Sequence, residues 1–200
     1  MLIAGLTGGF GTGKSLAAAI FKELGAEVVD ADKVAHKTLK KGSAVYKKII
    51  AVFGRSILDR SGLISRKKLS RLVFGNKNKV ARLNRMIHPV VIDEIKKRIR
   101  SFKGKVLVID APLICEAGLC GLIDALIVVT SSREKQVARC IKKFKIKKED
   151  VHKRMACQMP LKAKIKKADY VIDNNGTRKE TRMQVIKIWQ ELNKGASVWR

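Results

Sequence analysis

Leu2-Ile3-Ala4-Gly5-Leu6-Thr7-Gly8-Gly9-Phe10-Gly11-Thr12-Gly13-Lys14-Ser15 is a short apolar run that breaks into glycines and ends in Lys-Ser. Gly8 to Ser15 satisfies G-x-x-x-x-G-K-[ST], set between a predicted strand (2–7) and a predicted helix (14–24), the context that pattern requires. The chemistry explains the residue types. Glycines let successive backbone N–H groups converge on phosphate oxygens, and the helix amino terminus adds partial positive charge. Lys14 is expected to reach the β- and γ-phosphates of a nucleotide, and the Ser15 hydroxyl to ligate a Mg²⁺ that bridges them. A nucleoside-triphosphate site is therefore the first expectation.

Outward from this loop, short apolar runs alternate with amphipathic stretches of helix length, the pattern of an α/β fold on a parallel sheet. The predicted strands are 2–7, 27–30, 106–110, 125–130 and 169–173; helices are expected over 14–24, 133–143, 147–157 and 177–193. About 75 residues with helical spacing separate the second and third strands, including 44–53, 66–74 and 88–102. That length predicts a helical insertion beside the sheet, a natural place for substrate recognition. The fold class is thus α/β, a P-loop three-layer core with a five-stranded parallel sheet and a helical substrate-binding insertion.

The chain of 200 residues is 46% hydrophobic, enough for one domain with a sizeable core. Its formal charge is +27 and unevenly spread: residues 1–32 hold two basic and four acidic side chains, whereas 133–167 hold 14 basic and three acidic. Such a field attracts polyanions, nucleotide or nucleic acid, and a solvated lysine-rich face is an equally good reading. Aromatic content of 5% leaves no aromatic cluster among the basic residues to stack bases, so nonspecific attraction is all that is expected of nucleic acid. The start of the chain lacks a basic n-region and no apolar stretch has membrane-spanning length, which predicts a soluble, cytoplasmic protein. Cys115, Cys120, Cys140 and Cys157 have no zinc-ligand spacing and are expected to be reduced thiols.

The acceptor must be read elsewhere. Asp30 and Asp32 stand at the end of the second predicted strand, at the sheet edge where ligands bind. They share a face if the strand persists, one can take a proton from an attacking hydroxyl, and one can cap the next helix. Asp110 closes the third strand and resembles the aspartate that orients Mg²⁺ water in P-loop enzymes. Asp59-Arg60-Ser61-Gly62 and Asn76-Lys77 mimic GTPase motifs, but Lys79 stands where an aspartate must contact guanine. His88-Pro89 reads as a helix start with Pro89 at its first position. Arg139 and Arg154 read as members of a basic helical face.

Gly8 to Ser15, Asp30-Ala31-Asp32, Ile87-His88-Pro89, Asp110-Ala111-Pro112-Leu113 with Glu116, Gln158-Met159-Pro160-Leu161 and Ala168 to Asn174 follow one another along nearly the whole chain. This ordered set resembles the dephospho-coenzyme A kinase family. The resemblance implies transfer of the ATP γ-phosphoryl group to the ribose 3′-hydroxyl of dephospho-coenzyme A, the last step of coenzyme A biosynthesis. It implies a core over 1–32, 103–132 and 168–200, a coenzyme A-binding insertion over 33–102 and a lid over 133–167. Asp32 is the implied general base, with Lys14 and Arg139 completing the catalytic set. ATP is implied to meet Gly8, Gly9, Gly11, Thr12, Gly13, Lys14, Ser15 and Leu16, with Arg139, Lys143 and Arg154 from the lid. The acceptor is implied to meet Asp32, Arg66, His88, Pro89, Asp110, Leu113 and Glu116. Ser15 and Asp110 are implied to serve Mg²⁺, and a monomer or small homo-oligomer is expected. Three departures stand out: Leu16 replaces a second hydroxyl residue, Lys143-Phe144 replaces Arg-Asp, and the third strand ends in Asp110-Ala111-Pro112. A nucleoside-monophosphate kinase, its acceptor phosphate met by Arg55, Arg60, Arg66 or Arg71, is the rival enzyme; a nucleic-acid-binding protein regulated by nucleotide is the rival of another class.

Overall fold

The uninterrupted apolar runs become strands, as expected where a parallel sheet is covered on both faces. β1 (Leu2–Gly8) and β3 (Val106–Asp110) are buried along their whole length, and β4 (Ala125–Thr130) for all but its last residue. With β2 (Glu27–Asp30) and β5 (Tyr170–Asp173) they form one parallel sheet of order β2-β3-β1-β4-β5. The computed structural model describes residues 1–198, apart from the side chains of Arg66 and of residues 196–198. Side chains alternate across the pleat: Leu2, Ala4 and Leu6 pack on one face with Phe21, Ile127 and Ile188, while Ile3 joins Ile109, Ile114 and Ile95 on the other.

α1 (Lys14–Glu23) and α9 (Arg178–Val198) cover the first face, where Phe21 meets Trp189 edge-on at 6.4 Å. The 33–102 segment folds as α2 (Ala31–Thr38), α3 (Ala44–Phe53), α4 (Arg66–Val73) and α5 (Lys77–Ser101). It has a core of its own in Val45, Ile49, Ile57, Leu69 and Val73, and α5 reaches the sheet through Val91 and Ile95. α6 (Arg133–Phe144), α7 (Lys148–Ala156) and α8 (Leu161–Ile165) lie between β4 and β5; Val137, Cys140 and Val151 form their small core.

The GTPase-like fragments have local structural causes. Asp59 Oδ1 accepts from the Ser61 and Leu63 backbones at 2.9 Å each, closing a tight turn beside the Leu58–Ile64 bridge. Asn76 caps α5, accepting from the Lys79 backbone at 3.1 Å. That cap starts the helix 11 residues before His88, so the reading of His88-Pro89 as a helix start is corrected: Pro89 lies inside α5. A mid-helix proline removes one backbone bond and bends the axis. The fifth strand begins one residue late because the Asp169 carboxylate turns back to accept from the Leu126 backbone at 2.7 Å.

Candidate active site

The glycine-rich loop turns at the carboxyl end of β1. Gly11 (φ 84°) and Gly13 (φ 91°) lie in the left-handed region, and a Cβ on Gly13 would come 1.9 Å from Asn174 Nδ2. No side chain caps α1, which leaves its amino terminus to an anion. The loop is braced from behind. Thr12 is fully buried, its hydroxyl bonds the Gly9 carbonyl at 3.0 Å, and its own carbonyl accepts from Asn174 Nδ2 at 2.8 Å and Arg139 at 3.3 Å. Arg139 also donates to the Asn174 carbonyl at 2.8 Å and Ser131 Oγ at 3.2 Å. Arg139, expected over the triphosphate, is in this structure a buttress of the loop. Its guanidinium is directed to carbonyls because a planar fork satisfies several acceptors at once.

Lys14 forms an ion pair with Asp110, which is only 7% exposed. Burial pushes the Asp110 carboxyl above its ordinary 3.8; the charge and hydrogen bond of Lys14 oppose this, while Asp30 adds to it. Asp30 and Asp110 are register partners on neighbouring strands. β2 stops at Asp30, so the expected shared face of Asp30 and Asp32 does not form. Asp30 caps α2, accepting from the Lys33 backbone at 2.9 Å, and Asp32 stands exposed in the first helical turn. Ser15 is exposed on the first turn of α1. Leu16 packs its side chain on the core, and its N–H donates to the Gly13 carbonyl at 2.8 Å. An apolar side chain gains more from that burial than from a phosphate.

Arg154, an expected site residue, and Phe144 bridge elements. Arg154 stacks on Phe74 at 5.0 Å and on Phe10, at the tip of the glycine-rich loop, at 5.5 Å, and donates to Ser70 Oγ at 3.0 Å. Phe144 stacks on Phe10 with centroids 5.3 Å apart, which accounts for an aromatic residue at that departure. Lys143 is exposed, its ammonium 5.5 Å from the Phe144 ring. Arg66 opens α4, and its side chain lies outside the described residues.

The loop after β3 carries Leu113 and Glu116. Glu116 Oε1 accepts from the Met159 backbone at 2.8 Å and from Lys164 Nζ at 3.0 Å. His88, half-buried on α5, is held below its ordinary 6.5 by burial, against the Glu116 carboxylate, whose charge raises it. Pro89 is exposed beside it. No cluster of three or more acidic, His or Cys side chains able to hold a metal occurs among the described residues. One hydroxyl and one carboxylate, Ser15 and Asp110, are hard oxygen donors of the kind Mg²⁺ takes alongside phosphates and water.

With this geometry in view, the family model for dephospho-CoA kinase matches residues 2–180. The chain belongs to the dephospho-CoA kinase family. Dephospho-CoA kinase of Aquifex aeolicus is 42% identical over 191 residues, covering 95% of this chain and 97% of that protein. The solved dephospho-CoA kinase of Campylobacter jejuni superposes with a TM-score of 0.62 at 28% identity, covering 96% of this chain and 98% of that one. Shikimate kinase of Acinetobacter baumannii, at 16% identity, TM-score 0.56 and coverage of 98% and 94%, shares the fold.

Three side chains in the dephospho-CoA kinase site were given no role by sequence reasoning: Asn174, which holds Thr12; Gln158, whose Oε1 accepts from the Phe10 backbone at 3.0 Å; and Lys164. Gln158 and Asn174 lay inside quoted motifs, a signal of position without a role. Lys164 was hidden among lysines. The four thiols are free, and no described helix is long and apolar enough to cross a membrane.

Proposed function

We propose that this chain transfers the γ-phosphoryl group of ATP to the ribose 3′-hydroxyl of dephospho-coenzyme A, giving coenzyme A and ADP. The observation that carries the reading is the Lys14–Asp110 pair at the glycine-rich loop, with Asp32 in the first turn of α2, the helix that follows β2. Phosphate oxygens replace Asp110 as partners of Lys14 when nucleotide binds, and the loop N–H groups and the α1 terminus hold the β- and γ-phosphates. Ser15 and Asp110 would hold the Mg²⁺ that comes with ATP, which would supply charge neutralisation at the transferring group. Asp32 accepts the proton of the attacking hydroxyl. Arg139 keeps the loop in shape, and Arg154 and Lys143 supply lid charge once the lid contacts with Phe10 and Ser70 rearrange.

The acceptor lies between the helical segment 33–102, which contributes Arg66, His88 and Pro89, and the loop after β3, which contributes Leu113 and Glu116. Residues 133–167 act as the lid over the core of 1–32, 103–132 and 168–200. Phosphoryl transfer has a loose transition state, so positioning and charge neutralisation outweigh the base. Incubation with Mg-ATP and dephospho-coenzyme A, followed by mass-resolved chromatography, tests the reading. Stoichiometric coenzyme A and ADP are expected. Asp32→Asn should cost about 10² to 10⁴ in rate, and Lys14→Ala more. Equal losses would refute the ranking, and untouched dephospho-coenzyme A would refute the substrate.

A further inference from the structure

Lys164 is a fully buried lysine in a chain whose other described lysines, Lys14 excepted, are exposed. An ammonium without solvent needs partners, because its desolvation is repaid only by charge and hydrogen bonds. All of its observed partners belong to one loop. Nζ lies 3.0 Å from Glu116 Oε1 and donates to the Pro112 carbonyl, which also accepts from the buried Thr7 hydroxyl at 3.1 Å. The Met159 backbone donates to the same Glu116 oxygen at 2.8 Å. Oε1 therefore carries two bonds. Oε2 is buried and, among the described residues, has no hydrogen-bond partner, although the Glu116 side chain as a whole keeps 20% exposure. A buried carboxylate oxygen without a donor costs free energy until one arrives.

The neighbouring contacts separate two tasks along one short segment. Gln158 bonds the tip of the glycine-rich loop through the Phe10 N–H, whereas Met159 and Lys164 bond the loop after β3. Nucleotide side and acceptor side are thus held by different residues of 158–164.

We propose that Lys164 is a positioning residue for the acceptor: it anchors the 111–118 loop and holds Glu116 so that Oε2 meets an O–H or N–H donor of the acceptor. This rests on the acceptor reading of Glu116 given above. Lys164 touches no substrate. Its ammonium fixes which oxygen of Glu116 is engaged.

Lys164→Met keeps the length of the stem and removes the charge. Its KM for dephospho-coenzyme A should rise about tenfold or more, the loss expected when a charge-assisted hydrogen bond fails, while its KM for ATP stays within about twofold. Glu116→Gln should show the same one-sided change, and the double variant should add little to either. A purely structural lysine would lower the melting temperature of Lys164→Met and leave the ratio of the two KM values unchanged, which would overturn the proposal. A second measurement needs no variant. In the wild-type protein the Met159 amide resonance should shift on adding dephospho-coenzyme A and not on adding ADP; an unmoved Met159 amide overturns the proposal even if Lys164→Met fails to fold. Failure of the substrate assignment is distinguishable, because the wild type would then leave dephospho-coenzyme A unphosphorylated. A wild type that turns it over, beside a Lys164→Met with unaltered acceptor KM, sinks only the role of Lys164.

Discussion

Lys14→Ala should destabilise the protein before any substrate is added, and by an amount that depends on pH. Asp110 is 7% exposed and its observed countercharge is the Lys14 ammonium. Removing one partner of a buried pair strands the other and typically costs about 3 to 5 kcal/mol. For a chain of this size that corresponds to a melting temperature lower by roughly 6 to 20 °C. The sign of the pH dependence follows from the direction of the Asp110 shift. Its folded pKa lies above the ordinary 3.8, chiefly through burial, so the folded state holds this proton more tightly than the unfolded chain. Stability contributed by that proton is present in acid and lost as pH rises through the interval above 3.8. Lys14 opposes the shift, so its removal lifts the folded pKa further and widens the interval. The deficit of Lys14→Ala should therefore be largest near neutrality and shrink toward about pH 5, as read by urea unfolding at both values. Adding Asp110→Asn should recover most of the loss near neutrality. An equal deficit at both pH values, with no recovery in the double variant, would refute the stranded-carboxylate reasoning.

Gly13→Ala places a Cβ at φ 91° and 1.9 Å from Asn174 Nδ2, so roughly 1 to 2 kcal/mol of backbone strain adds to about 1 kcal/mol for the displaced Asn174–Thr12 bond. Calorimetry should show both a lower melting temperature and weaker ATP binding; loss of neither would contradict the geometry. Phe144→Ala removes the 5.3 Å stack on Phe10, worth about 0.5 to 1.5 kcal/mol. Hydrogen exchange at the α6 and α7 amides should quicken up to about tenfold, and unchanged protection would show that the stack does not hold the lid down. His88 is held below 6.5 by burial, so the unfolded imidazole protonates first and stability is lost as pH falls from 6.5 toward the folded value. His88→Gln should flatten that part of the urea-midpoint profile, and a profile of the same slope would exclude His88 as its source.

Much of the fold was legible because parallel strands buried on both faces read as bare apolar runs, and β2, β3 and β4 fall on the residues their sequences suggest. The glycine-rich loop was legible for a related reason: its geometry is set by neighbouring residues, with Gly11 and Gly13 supplying conformations that side chains resist. The family, too, could be read from motif order alone, and the match over residues 2–180 agrees. What chain order cannot encode locally was decided by tertiary contact. The division of labour between Asp30 and Asp32 turned on where β2 ended, and Arg139 found its acceptors on Thr12 and Asn174, distant in sequence. Pro89 stayed inside α5 because a cap at Asn76 and packing at Val91 and Ile95 outweigh one missing backbone bond. Lys164 carries the same side chain as every other lysine in the chain, and only burial against Pro112 and Glu116 gives its charge a specific place, because in a low-dielectric interior the partners of an ammonium determine where it can reside.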